Sequence, residues 1–97
     1  MKEAMKEAIR KRQKEMFEQR MNRRFSELKE AKGLNDINLR HRVLNVIHNN
    51  LHPFAQQDKV AKLSELFLKA RRNIGDSNKT LDEIEGVLQG IYIKIPL

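Results

Sequence analysis

Residues 2–32 contain neither glycine nor proline, and this uninterrupted run is the strongest constraint on what the chain can fold into. Most of its residues are alanine, methionine, glutamate, glutamine, lysine or arginine, all of which favour helix. The run therefore predicts one long helix. Gly33 is expected to end it, because a glycine just past the last turn takes the left-handed conformation without steric cost.

Two shorter helices are predicted next. Asn35 or Asp36 is expected to cap a second helix over about residues 36–51, which Pro53 brings to an end. Apolar residues at three- and four-residue steps predict a third helix over about residues 56–73. The second and third helices are therefore amphipathic and can share a core.

A fourth helix is predicted near the end of the chain. Residues 75–79 are expected to form a turn, and Thr80 with Glu83 matches a capping box that would begin the helix. Residues 92–95 alternate between apolar and polar or aromatic side chains as a strand does, so the end of this helix stays open.

Large apolar residues are divided unevenly. Residues 34–97 contain 24 Ile, Leu, Val, Met, Phe and Tyr, whereas residues 1–33 contain eight. A 31-residue helix is about 46 Å long, while a 64-residue globule is about 28 Å across. The fold is therefore predicted to be all-α, with a long N-terminal helix and a compact bundle of about three short helices. Residues 1–15 are expected to form an overhanging basic arm on a single helical domain, residues 16–97.

The overhang also favours self-association. An isolated helical segment of 10–15 residues is marginal in water, so another molecule would support it. We therefore expect a homodimer in which the long helix packs on its symmetry mate. The predicted contacts to a partner helix or second copy are the apolar stripe Phe17, Met21, Phe25 and Leu28.

Positive charge is concentrated in the first helix. The chain has 20 Lys+Arg and 13 Asp+Glu, a net charge of +7, and residues 1–32 contribute eleven cations and six acids, or +5. Exposed cations on a helix neutralise phosphates and release counterions, which favours nucleic-acid binding. We therefore predict a non-enzymatic nucleic-acid-binding protein with a regulatory or architectural role. The predicted phosphate contacts are Arg10, Lys11, Arg12, Lys14, Arg20, Arg23 and Arg24, with Arg71 and Arg72 at the end of the third helix.

Other interpretations of these patterns stay open. Glutamates four residues from lysine or arginine, as in Lys14–Glu18, would dilute the basic patch. The alternative function is an adaptor or inhibitor that presents Phe17, Met21 and Phe25 to a groove on a partner protein. Shallow attachment to an anionic membrane surface is a third possibility. A tract of Asn and Arg early in the second helix has the side chains that read base edges: Asn38, Arg40, His41, Arg42 and Asn45.

Several function classes find no support in the sequence. The chain has no cysteine, which excludes disulfides and thiolate zinc sites and fits a cytoplasmic protein. His48 and His52 stand four residues apart but lack a third ligand at suitable spacing, so no metal is expected. No nucleophile–base set or phosphate-binding glycine loop is present, so neither an enzyme nor a cofactor is predicted. The longest apolar run is Leu66 to Leu68, so no integral membrane segment is expected.

Overall fold

The computed structural model describes residues 2–72 and 77–95. Their secondary structure is entirely helical: a long first helix is followed by a compact bundle of three shorter ones, which confirms the predicted all-α architecture. The elements are α1 (Lys2–Gly33), α2 (Ile37–Leu51), a 3-10 turn (His52–Phe54), α3 (Gln57–Arg72) and α4 (Ser77–Lys94). The last residue of the predicted third helix, residue 73, and the first two residues of the predicted turn, 75 and 76, lie outside the described residues.

The junction between α1 and α2 is a tight reversal. Asp36 caps α2 as predicted, since its carboxylate accepts a hydrogen bond from the Leu39 amide at 3.1 Å. The prediction that Gly33 takes the left-handed conformation is wrong: Asn35 has it, with a φ of 55°. Gly33 remains in the helix, and the chain reverses two residues later, because the short polar side chain of asparagine tolerates this conformation.

The start of α4 differs from the prediction. The helix begins at Ser77, so residues 77–79 are helical rather than a turn, and Thr80 lies inside the helix. Ser77 and Thr80 are both buried, three residues apart on the face that packs on the bundle. The capping box at Thr80 and Glu83 is therefore wrong, because tertiary packing extends the helix by a turn.

The end of α4 is also helical. The helix continues through Gly86 and Gly90 to Lys94, so the strand-like alternation of residues 92–95 does not produce a strand. Its apolar face is fully or nearly fully buried along its length, and this packing outweighs the low helix propensity of the glycines. The residues of that face are Leu81, Ile84, Leu88 and Ile91.

The core lies between all four helices. Helix α2 packs against both α1 and α4, and α3 packs on α4. The interior is entirely aliphatic at its centre, and a row of aromatic side chains closes one side of it. The completely buried large side chains are Met21, Leu28, Leu44, Ile47, Leu51, Leu63, Leu81, Ile84 and Leu88.

Only the second half of α1 contributes to this core. Residues 2–16 are all exposed, and Phe17 is the first partly buried residue. Met21 and Leu28 are completely buried, and Phe17 and Phe25 pack against the same core. These four residues therefore fill the chain's own interior, and the partner contact predicted for them would require that interior to open.

The molecule is elongated because α1 extends beyond the bundle. The described residues span 57 × 30 × 15 Å. Over this part of the chain, no helix is both long and apolar enough to cross a membrane.

Candidate nucleic-acid interface

One face of α1 carries apolar side chains where it packs on the bundle and cationic side chains where the helix extends beyond the bundle. Met21 and Phe17 face the bundle, and steps of three and four residues continue that stripe to Lys14 and then Arg10. The stripe is thus apolar where the bundle covers it and cationic where it is exposed to solvent. This arrangement directs positive charge toward the space beside the bundle.

That space is a hollow of about 830 Å³ between the exposed half of α1 and the 3-10 turn. Its volume lies within the range of about 300–1,000 Å³ typical of ligand sites. Its described lining residues include four cations and no carboxylate. The lining consists of Arg10, Lys11, Gln13, Lys14, Met16, Phe17, Arg20 and Phe54; we call it the basic hollow.

An aromatic side chain forms the far wall of the basic hollow. Phe54 is 46% exposed, although its ring contacts Phe17 edge to face with centroids 5.6 Å apart. Phe17 in turn lies 6.4 Å from Tyr92, which lies 5.7 Å from Phe25. This aromatic row connects α1, the 3-10 turn and α4, so it fixes the position of Phe54 while leaving much of its ring open to solvent.

The cations of the basic hollow are only weakly compensated. Arg10 and Lys11 form no ion pair with any described residue. Lys14 approaches the Glu18 carboxylate at 4.0 Å with both side chains exposed, so the pair contributes little and is screened by salt. The Arg20 Nη1 group donates a long hydrogen bond of 3.4 Å to Asn50. Most of the positive charge is therefore available to an anionic ligand.

Other cations predicted to bind phosphate lie elsewhere. Arg12 is exposed on the arm but does not line the hollow. Arg23 and Arg24 both contact Glu27, at 3.8 and 3.0 Å, so their charge is shared with a carboxylate. Arg71 lines a separate cleft, and Arg72 lies beside it on α3 without lining either depression. The structure therefore brings together Arg10, Lys11, Lys14 and Arg20 and leaves out Arg12, Arg23, Arg24, Arg71 and Arg72.

Sequence patterns did not reveal Phe54 as a site residue. It is separated from Lys14 by 40 positions and comes close to the arm only through the pairing of α1 with α2 and the turn that follows. The available signal was a large aromatic residue directly after Pro53, outside any apolar stripe. Pro53 and Phe54 both lie in the 3-10 turn, and Phe54 is exposed there.

Arg40 has a structural position, which corrects its assignment as a reader of base edges. The residue is 5% exposed, and its guanidinium pairs with Asp82 and, at 3.8 Å, with Glu85. It also donates a hydrogen bond of 3.2 Å to the Asn78 amide oxygen. These partners hold the side chain inside the bundle.

His48 in α2 and His52 in the 3-10 turn form an aromatic contact. The rings of His48 and His52 have centroids 5.6 Å apart, and His48 also packs on Phe67 at 5.3 Å. Burial, and then the charge of His52, lowers the pKa of His48. Within residues 2–72 and 77–95, no three potential ligands come together in a group that could hold a metal ion.

The candidate site thus consists of a cationic helix face, an open aromatic ring and a hollow between them. Its chemistry must be inferred from these residues, because a scan of protein families and searches of curated proteins and of solved structures found no match to the chain.

Proposed function

We propose that the chain is a non-enzymatic nucleic-acid-binding protein that holds a single-stranded segment in the basic hollow. Arg10, Lys11, Lys14 and Arg20 contact successive phosphates, and an unpaired base stacks on Phe54. The observation that supports this most directly is the half-exposed ring of Phe54, which faces four cations in a hollow whose described lining contains no carboxylate.

The combination of an aromatic platform and a basic groove favours single strands over duplex. Stacking on a side chain requires a base that is free of its neighbours, and it is tolerant of sequence because every base has a π face. Phosphate contacts add affinity that is largely independent of sequence. The proposed role is therefore regulatory or architectural binding, without chemistry on the strand, and the lack of cysteine agrees with a cytoplasmic location.

Salt dependence gives a quantitative expectation. Each phosphate neutralised on a single strand contributes about −0.7 to the slope of log K against log salt. Four contacts therefore give a slope of about −3. A slope near zero would contradict phosphate binding by the hollow.

The test is fluorescence anisotropy with a labelled twelve-residue thymidine oligonucleotide and its uridine counterpart at low salt. Arg10→Gln and Arg12→Gln are matched variants, because each removes one exposed cation from the same arm, but only Arg10 lines the hollow. We expect Arg10→Gln to weaken binding at least threefold more than Arg12→Gln. Phe54→Leu keeps an apolar side chain and should weaken binding about 5- to 100-fold, the range for loss of one stacked base.

Three results would contradict the proposal. They are no binding by the unaltered chain at low salt, equal effects of the two arginine variants, and full affinity of Phe54→Leu. Circular dichroism of each variant provides the folding control, since all three altered side chains are exposed in the structure.

A second proposal concerns an apolar stripe of the arm that borders the basic hollow at Met16. Met5, Ile9 and Met16 are 67%, 53% and 53% exposed, and helical spacing places them within about 40° of one another around α1. This stripe supports contact with another chain, and we propose that the arms of two copies pair through it. A groove on a partner protein, the alternative function, would use the same three residues in place of Phe17, Met21 and Phe25.

A further inference from the structure

A second depression lies where the start of α2 meets the end of α3 and the start of α4. Its volume is about 390 Å³, and Ile37 and Ala70 contribute its apolar part. The remaining lining is polar or cationic and belongs mainly to one face of α2. These residues include Asn38, His41, Arg42, Asn45 and Arg71; we call the depression the arginine cleft.

Two arginines from different helices line this cleft. Arg42 belongs to α2 and Arg71 to α3, and both side chains are exposed. Neither forms an ion pair or a hydrogen bond with any described residue, and the described lining contains no carboxylate. Two guanidinium groups thus face a common space without a counterion from the described part of the chain.

Two carboxylates of α4 are paired with a different arginine of α2. Asp82 and Glu85 both pair with Arg40, which lies two residues from Arg42 but faces the bundle. Glu85 also pairs with Lys32 at 3.0 Å. These two carboxylates therefore compensate the buried Arg40, and no described carboxylate lines the cleft.

Amide groups beside the arginines can add hydrogen bonds. Asn38, Arg42 and Asn45 follow one another at steps of four and three residues, so they share a face of α2. The Asn45 Nδ2 atom lies 3.1 Å from the His41 Nδ1 atom, and the His41 ring packs edge-on against Phe67 at 5.7 Å. These contacts order the wall of the cleft before any ligand arrives.

We propose that the arginine cleft binds a phosphate-type oxyanion, held by Arg42 and Arg71 and by the amides of Asn38 and Asn45. The planar fork of a guanidinium matches two oxygens of a phosphate, which makes arginine the preferred cation for this ligand. The phosphate is either free, as inorganic phosphate or a mononucleotide, or part of a nucleic-acid strand. The cleft does not depend on the basic hollow, with which it shares no residue.

His41 provides a built-in reporter. Burial, and then the charge of Arg71, lowers the pKa of this imidazole. A bound oxyanion offsets the charge of Arg71, so the pKa of His41 should rise when the cleft is occupied. His52, whose side chain is outside the cleft, serves as the internal control in the same spectrum.

The experiment is an NMR titration of the histidine Cε1–H signals with inorganic phosphate at constant ionic strength. We expect a saturable shift of the His41 signal, a rise in its pKa and little change for His52. Arg42→Gln or Arg71→Gln should weaken phosphate binding at least tenfold. Arg72→Gln is the matched control, since it removes the neighbouring exposed cation from the same helix, and it should change the affinity less than twofold.

Further measurements distinguish the possible sources of the phosphate and separate this site from the basic hollow. Tighter binding of uridine 5′-monophosphate than of inorganic phosphate would assign the cleft to a nucleotide, and displacement of phosphate by the thymidine oligonucleotide would assign it to a strand. Arg10→Gln should leave phosphate binding at the cleft unchanged, so failure of the basic hollow would not affect this result. Equal shifts of His41 and His52, or equal effects of Arg71→Gln and Arg72→Gln, would overturn the proposal.

Discussion

Arg40 and Arg42 show how two like residues in one turn of helix acquire opposite roles. Arg40 lies on the same stripe as Leu44, Ile47 and Leu51, and it is buried with them. Arg42 faces outward into the arginine cleft. The position of Arg40 on an apolar stripe was visible in the sequence, but its partners Asp82 and Glu85 are more than 40 residues away and only the fold identifies them.

The burial of Arg40 leads to a prediction about stability. Arg40→Met should lower the free energy of unfolding by about 1–3 kcal/mol, because the charge-assisted hydrogen bonds to Asn78 and Asp82 are lost and Glu85 keeps fewer partners. The Asp82 side chain is 61% exposed and regains water, which keeps the loss moderate. Urea denaturation measures the change.

Arg42→Met is the matched control for this prediction. Its side chain is exposed and forms no ion pair or hydrogen bond with a described residue, so the free energy of unfolding should change by no more than about 0.5 kcal/mol. Equal losses in the two variants would show that Arg40 contributes nothing specific to the bundle.

At the scale of elements, the helices were predictable and several of their ends were not. The long run without glycine or proline and the apolar steps of α2 and α3 are local properties, so the sequence contains them in full. The start of α4 depends on which residues the bundle buries, and Thr80 is among them. A local capping pattern therefore gave the wrong boundary.

The two glycines of α4 lower the stability of the helix, and no close contact within the chain requires them. A Cβ atom added at Gly86 or Gly90 would meet nothing within 4 Å, so neither glycine is required by close packing. Both line an open groove of about 590 Å³ together with Val87 and Ile91. Glycine inside a helix is less favourable than alanine by roughly 0.5–1 kcal/mol.

Gly86→Ala and Gly90→Ala should therefore each raise the free energy of unfolding by about 0.5–1 kcal/mol. For a chain of this size, 1 kcal/mol corresponds to an increase in Tm of about 4–8 °C, which thermal denaturation followed by circular dichroism resolves. Gly33→Ala is the control: it also meets nothing within 4 Å but lies at the last residue of α1, so its gain should be smaller. A lower Tm for the α4 variants would contradict this prediction.

At the scale of the whole molecule, the uneven distribution of apolar residues indicated in advance that α1 would be longer than its bundle. The sequence also placed positive charge on that helix. It contained no indication that Phe54 would face Arg10 and Lys14, because this proximity arises from the antiparallel course of α1 and α2 and the turn after them. The charge of the site was therefore predictable and its shape was not.

The exposed arm, residues 2–16, is the segment through which we propose that two copies pair. An isolated helix of this length is marginal in water, and pairing of two arms through Met5, Ile9 and Met16 would stabilise both. Sedimentation equilibrium at micromolar concentration should give about twice the monomer mass of 11.5 kDa. Ile9→Glu introduces a charge into the centre of the stripe and should give a monomer, because two carboxylates would face each other across the paired arms.

Leu68→Glu is the matched control for the arm variant, since Leu68 is 49% exposed on α3 and Ile9 is 53% exposed on α1. It should leave the dimer intact. A monomer mass for the unaltered chain, or dissociation by both variants, would contradict pairing through the arms. No residue from 2 to 16 enters the core, so the Ile9→Glu variant should have the same urea midpoint as the monomer of the unaltered chain. Loss of the dimer can therefore be distinguished from unfolding.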